Sequence, residues 1–281
     1  MYVDTHTHLS PYSHDARQSV AELLAQAARK GLSAVCTADH YEKDIFYEGG
    51  REDIFNITDY FRDLGAVQAA RKDEEPRLLP GVELGYLPHL DRHYAQVAAA
   101  WPFNSVILSL HILESQDPFV LPAMYHPGKT DVYGRYLRQL TTMITSCPDF
   151  DIIGHFDYIT RYAPYTDRKI RYDEFPAAFD ELFSQMIRNR KALEINTRTI
   201  VKLQSCGYEG YEAWPDPAII SRYLDLGGNL ISLGSDAHKA GECGHLFPET
   251  IAWLSGLGCR QVVHFEKRQA VFTQITDYGE Q

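Results

Sequence analysis

The sequence predicts an α/β fold whose parallel strands close into a barrel. Three observations point to it. Strand-like and helix-like segments alternate along the chain; residue types that ligate metals recur at the ends of the strand-like segments; and no linker, low-complexity stretch or internal repeat divides the 281 residues, so one domain over 1–281 is expected.

Met1-Tyr2-Val3 opens a short buried strand that runs into Asp4-Thr5-His6-Thr7-His8. Side chains two apart on a strand share a face, so His6 and His8 lie within reach of one ion. Ser10-Pro11-Tyr12-Ser13-His14-Asp15 is loop chemistry. Ser19 followed by Glu22 is a capping box. The helix behind it carries Val20, Leu23, Leu24, Ala27 and Ala28 on one stripe, and Gly31 is placed to end it. Residues 32–38 read as a second strand, ending in Asp39-His40. Residues 59–71 read as a helix, and 78–82 as a strand with Glu83 near its end. A short helix at 91–100 precedes a strand at 105–110, which His111 follows. Then come a helix at 130–146, a short strand at 151–154 before His155, and an amphipathic helix at 174–190. The strand at 192–195 ends in Asn196-Thr197-Arg198. Asp216-Pro217 is a helix start and Gly227-Gly228 a stop. The strand at 229–234 closes in Ser235-Asp236-Ala237-His238, and a helix at 249–254 leads to a last strand at 261–265.

Alternation of this kind implies a parallel sheet, either open or closed. An open sheet binds ligands near the crevice where strand order reverses. A barrel collects the C-terminal ends of all its strands on one face. His6, His8, His40, Glu83, His111, His155, Asp236 and His238 fall at the ends of different strands. They meet in one place if the sheet closes.

Composition narrows the function. With 44% hydrophobic and 23% charged residues the chain reads as an ordinary globular protein. No apolar run approaches the roughly 18 residues of a membrane span. No basic region followed by an apolar stretch opens the chain, so a cytoplasmic protein is expected. A net charge of −11 argues against a nucleic-acid partner. The five cysteines are scattered and form no Cys-x-x-Cys pair, which argues against a disulfide framework and a zinc ribbon.

Imidazoles with carboxylates and without thiols suit zinc, manganese or iron better than magnesium or calcium. One ion takes three or four protein groups and leaves a position open, so this many ligands call for two or three divalent ions. Glu83 has two oxygens and can bridge neighbours. Two ions about 4 Å apart activate water near neutral pH and clamp an in-line phosphoryl displacement.

His6-Thr7-His8, His14, Asp39-His40, Gly81-Val82-Glu83, His111, Gly154-His155 and Asp236-Ala237-His238 together resemble the polymerase-and-histidinol-phosphatase (PHP) superfamily. The resemblance implies a distorted (β/α)7 barrel with a trinuclear metal centre. It implies one metal on His6, His8, Glu83 and Asp236, a second on Glu83, His111 and His155, and a third on His14, His40 and His238. Asp15 stands beside His14 as a substitute or additional ligand. Asp39 adjoins a ligand histidine and is expected to orient it.

Within the superfamily the chain most resembles the stand-alone histidinol-phosphatases, in length, in Asp157-Tyr158-Ile159-Thr160-Arg161-Tyr162 and in Glu194-Ile195-Asn196-Thr197. Residues 113–129, with Tyr125-His126-Pro127-Gly128, depart from that group's pattern and leave the substrate open. The expected reaction is hydrolysis of a small phosphate monoester, L-histidinol phosphate by resemblance. Glu83, Asp236, His238 and Arg198 carry the catalytic roles. Arg161 and Arg198 read as substrate-binding clamps for phosphate oxygens, or else as surface arginines paired with Asp157 or Asp167. The alternatives are another PHP phosphoesterase acting on phosphotyrosine or a nucleotide, a binuclear amidohydrolase, and a non-catalytic metal-binding scaffold. No lysine stands at the end of the fourth strand, Ser109-Leu110-His111, where the amidohydrolase reading needs one to bridge metals. His89, His93, His126 and His245 read as surface or loop residues, and His264 as structural.

Overall fold

Strand β1 (Val3–Thr7) is buried along its whole length, and helix α1 (Val20–Arg29) behind it buries Leu23 and Ala27. The Ser19–Glu22 capping box forms as the sequence predicts, each side chain bonding to the other residue's backbone N–H. The computed structural model describes residues 2–46 and 50–275. Met1, expected to open β1, lies outside them.

The chain continues through β2 (Ala34–Thr37), β3 (His40–Phe46), β4 (Glu52–Asp53), α2 (Ile57–Ala70), β5 (Arg77–Pro80) and β6 (Val82–Gly85). Next come α3 (Asp91–Ala100), β7 (Val106–Ser109), α4 (Lys129–Ser146), β8 (Ile152–Ile153), α5 (Pro176–Arg188) and β9 (Ala192–Asn196). Then follow α6 (Thr197–Ser205), α7 (Pro217–Asp225), β10 (Ile231–Gly234), α8 (Phe247–Gly256), β11 (Gln261–Glu266) and β12 (Gln269–Gln274).

The result is a mixed α/β fold built on parallel strands. One sheet runs β1-β2-β5 and a second runs β10-β9-β8-β7-β6-β3-β4. Among the described strands, only the β3–β4 and β11–β12 pairs are antiparallel. Two strands cross from the first sheet to the second by bending: β2 into β3 across Ala38-Asp39, and β5 into β6 across Gly81. A Cβ on Gly81 would fall 2.7 Å from the Ser105 carbonyl oxygen and 2.8 Å from that of Thr37, so backbone closes on it from both sides. At the other end β1 meets the segment after β10. Thr7 bridges Ala237, and the Asp236 N–H donates to the His6 carbonyl at 2.8 Å. The Asp4 carboxylate accepts from the Ser235 and Gly244 N–H groups at 2.9 Å each.

Strands buried on both faces should be apolar throughout. Leu108, Ile153, Leu193, Ile195, Ile231 and Leu233 are buried in one cluster with the helix residues Leu137, Leu140, Phe179 and Leu182, and Ile107 and Ile152 are buried in a second. Each contributes on the order of 1.5–3 kcal/mol. Val263 and Phe265 of the β11–β12 hairpin pack on Ile107, Ile152, Ala192 and Leu230.

The structure departs from expectation in several places. His40 opens β3 instead of ending a strand, because His40 and Glu42 face inward while Tyr41 and Lys43 do not, a polar pattern unlike the apolar run of β2. Helix α6 was not anticipated; Asn196 ends β9 and also caps α6, accepting from the Arg198 and Thr199 N–H groups. The last predicted strand lies outside the parallel sheets, in a hairpin with β12. Strand β12 was itself not anticipated.

Candidate metal centre

Glu83 stands at the middle of the strand ends. Its burial favours the neutral acid, yet His6 and His111 outweigh that and hold it well below the usual carboxylate range. One oxygen, Oε2, lies 2.9 Å from His40 Nδ1, 3.4 Å from His6 Nε2 and 3.8 Å from His8 Nε2. The other, Oε1, lies 3.0 Å from His155 Nε2 and 3.4 Å from His111 Nε2, and accepts from the Ser109 hydroxyl at 2.5 Å. A single carboxylate thus faces five imidazoles, three by one oxygen and two by the other.

Asp236 completes the β1 side, with Oδ1 3.4 Å from His8 Nε2. Its φ is +54°, a left-handed conformation in the segment after β10 that bonds back to β1. The His238 and His40 rings lie 4.2 Å and 4.3 Å from that of His8, each tilted to it.

Several atoms here are buried and make no well-directed hydrogen bond, close charged neighbours notwithstanding: His6 Nε2, His8 Nε2, His40 Nδ1, Glu83 Oε2 and Asp15 Oδ1. An unpartnered buried polar atom is costly. A cluster of them converging from four segments is what a cation would satisfy. Ligand atoms within 4.8 Å of one another group as His6, His8 and Asp236; His6, Glu83 and His155; His40, Glu42 and His111; His8, His40 and His238; and His14, Asp15 and Asp53.

Carboxylates and a hydroxyl hold these rings from behind. His6 Nδ1 donates to Glu194 at 2.7 Å, and His111 Nδ1 bonds Glu42. Ser13 Oγ lies 3.2 Å from His8 Nδ1, accepts from the His40 N–H, and donates to Asp39 at 2.8 Å. Asp39 thus holds Ser13, which faces the His8 ring and the His40 backbone; burial pushes the Asp39 carboxyl up to about 7. Such outer partners fix ring orientation and tautomer.

The expected third ligand set is rearranged. Asp15 lies 3.0 Å from His238 Nε2 and 3.5 Å from His40 Nε2. His14 is half exposed, its Nδ1 donates to Asp53 at 2.7 Å, and its ring centre is 6.5 Å from that of His40. Asp15 is thus the residue at the cluster and His14 stands at the rim.

The two arginines also differ. Arg198, at the start of α6, is 40% exposed; it donates to the Asp236 carbonyl at 3.0 Å and lies against His238. Arg161 is 4% exposed, donating to Asn196 at 2.9 Å, to Asp236 Oδ2 at 3.0 Å and to Thr199 at 2.8 Å. It is not a surface residue, and its hydrogen bonds go to neither Asp157 nor Asp167. Its fork is turned onto Asp236, which it steadies.

A family model described as the PHP domain matches residues 4–198, more than half of the chain. The chain belongs to the PHP domain family.

Among PHP relatives, a "Probable histidinol-phosphatase" of Clostridium acetobutylicum is 28% identical over 95% of this chain and 98% of its own. The histidinol-phosphatase of Lactococcus lactis is 28% identical over 85% of this chain and 84% of its own. The crystal structure of histidinol phosphate phosphatase from Lactococcus lactis, complexed with zinc, L-histidinol and phosphate, superposes with a TM-score of 0.84. It is 24% identical and covers 96% of this chain and 98% of its own.

The sequence of this PHP domain assigned no site role to Glu194, which stood only within a resembling motif, nor to Glu42, Ser13 and Asp53. Only Glu194 carried a signal, a carboxylate inside the apolar strand Ala192-Leu193-Glu194-Ile195. The discounted histidines stay outside: His89 pairs with Asp44, His93 reaches Tyr41, His126 and His245 are exposed, and His264 pairs with Glu266. No described helix is long and apolar enough to cross a membrane.

Gly234 sets the tightest tolerance in the PHP site. A Cβ there would lie 2.0 Å from Glu194 Oε1 and 2.8 Å from His6 Cβ. Gly234→Ala is expected to lose about 1–3 kcal/mol of stability to overpacking. A thermal melt matching the wild type would show that the wall can yield.

Proposed function

We propose that the chain is a single-domain, metal-dependent phosphoric monoester hydrolase, with L-histidinol phosphate as its substrate and L-histidinol and phosphate as products. The observation that carries this is Glu83, whose two oxygens face two different sets of buried imidazoles. The substrate follows from the relatives, which are histidinol-phosphatases over nearly their full lengths. The two sheets read as one distorted (β/α)7 barrel. Supporting that reading, β1 pairs with β2 on one side and reaches the end of β10 on the other.

Two or three divalent ions, zinc, manganese or iron, suit this donor set. His6, His8, Glu83 and Asp236 would hold one; Glu83, His111 and His155 a second; and His40, His238 and Asp15, with His14 near, a third. When bound, such ions supply Lewis acidity and a means of activating water at neutral pH. The remaining work falls to the chain. Arg198, the exposed guanidinium beside Asp236 and His238, directs its free N–H groups to phosphate oxygens. Arg161 and Asn196 hold Asp236 and α6 in register. Water adds to phosphorus, the P–O bond to the alcohol breaks, and the alcohol leaves with a proton. The chain's net charge of −11 and the depth of the site favour a small-molecule partner over nucleic acid.

Metal analysis of the purified protein is expected to give two or three ions per chain, and a panel of phosphate esters is expected to show L-histidinol phosphate as the fastest. Amide hydrolysis without phosphatase activity would overturn the proposal. Arg198→Ala removes a charge-assisted contact worth roughly 1.5–3 kcal/mol, so kcat/KM should fall about ten- to a hundredfold. An unchanged kcat/KM would take Arg198 out of the site.

A further inference from the structure

Glu194 is fully buried in β9 and its two oxygens are divided between the two halves of the site. Oε1 accepts from the ring Nδ1–H of His6 at 2.7 Å. Oε2 accepts from the backbone N–H of His155 at 2.5 Å and from the Asn196 side-chain amide at 3.1 Å. His6 Nε2 then faces Glu83 Oε2 at 3.4 Å, and the His155 ring faces Glu83 Oε1 at 3.0 Å. Glu194 Oε1 occupies the space that a Cβ on Gly234 would fill, 2.0 Å from it.

We infer that Glu194 is the positioning residue that sets the tautomer of His6 and registers His6 against His155. The inference rests on the metal-centre reading above. A histidine ligates through the nitrogen that bears no proton. Holding the proton on Nδ1 leaves Nε2 with its lone pair aimed at the cluster. The need is for an acceptor at both ends of the side chain. Glutamate is one; glutamine is not. In Glu194→Gln the two donors at the Oε2 side, His155 N–H and the Asn196 amide, keep the amide oxygen there. The new NH2 then faces His6 Nδ1 and donates to it. The His6 proton moves to Nε2, and the ring ceases to be a ligand, although side-chain volume is almost unchanged.

The test uses full-length protein with 15N-labelled histidine. In the zinc-loaded wild type, NMR should show the His6 proton on Nδ1 and a ligating Nε2. In E194Q the proton should sit on Nε2. Competition against a chelator should show zinc bound about 10–100-fold more weakly at one site, with circular dichroism unchanged. A merely structural role would lower stability without moving the proton. E194Q with wild-type tautomer and zinc affinity would overturn the inference. Should E194Q fail to fold, the wild-type spectrum still decides, because a His6 that ligates through Nδ1 would overturn it alone. A wild type that binds no zinc would instead sink the metal centre itself.

Discussion

Glu83→Ala is expected to cut kcat for phosphate release by about three orders of magnitude or more, since charge stabilisation worth several kcal/mol is lost at about 1.4 kcal/mol per factor of ten. The reason is positional. Glu83 faces the two imidazole sets with separate oxygens, and Ser109, which donates to Glu83 Oε1, would be left facing the gap. The loss should appear in kcat and also in the metal count, because two groups share this ligand. Turnover near the wild-type rate in a metal-refilled variant would sink the proposed site. A circular dichroism spectrum like that of the wild type separates this from unfolding.

Removing metal is expected to act as strongly. A chelator should abolish turnover, and zinc or manganese should restore it. It should also destabilise the protein, because ligand at a hundred times its Kd stabilises the folded state by about 2.7 kcal/mol. A shift of several degrees in Tm follows. The stabilisation by zinc should grow with pH. In the metal-free chain burial disfavours charged His6 and His40, but carboxylates prevail: Glu194 and Glu83 raise His6 well above its usual value, and Asp15 and Glu83 raise His40. Groups with raised folded values add stability that is fully present below the unfolded value of about 6.5. That stability is lost as pH rises towards the folded value. The metal-free form therefore weakens over this window, while the loaded form no longer has protons to displace. A difference in Tm that shrinks from pH 6.5 upward would contradict the assignment of these rings as ligands.

Much of this site was legible along the chain. His6, His8, Glu83, His111, His155, Asp236 and His238 follow apolar segments whose pattern marks them as strands, and parallel strands present their C-terminal ends together. The Ser19–Glu22 capping box and the Asp216-Pro217 helix start were legible for the same kind of reason: each is a contact between residues one turn apart. Helix α6 was not, because its cap, Asn196, is also the last residue of a strand, and its Thr197, Thr199, Ile200 and Val201 favour strands.

What the sequence alone determined was the α/β class and the candidate ligand residues at the strand ends, since both depend on residue type and short-range periodicity. The tertiary structure decided which groups stand behind them. Glu194 reaches His6 across 188 positions and Glu42 reaches His111 across 69, distances over which spacing carries no information. It also chose between neighbours that the sequence could not tell apart. Asp15 turns toward His40 and His238 while His14 turns out to Asp53, and Arg161 is buried on Asp236 while Arg198 stays open. In each pair the residues are chemically suited to the same task, and only the packing around a bent strand or a helix start settles which one faces the site.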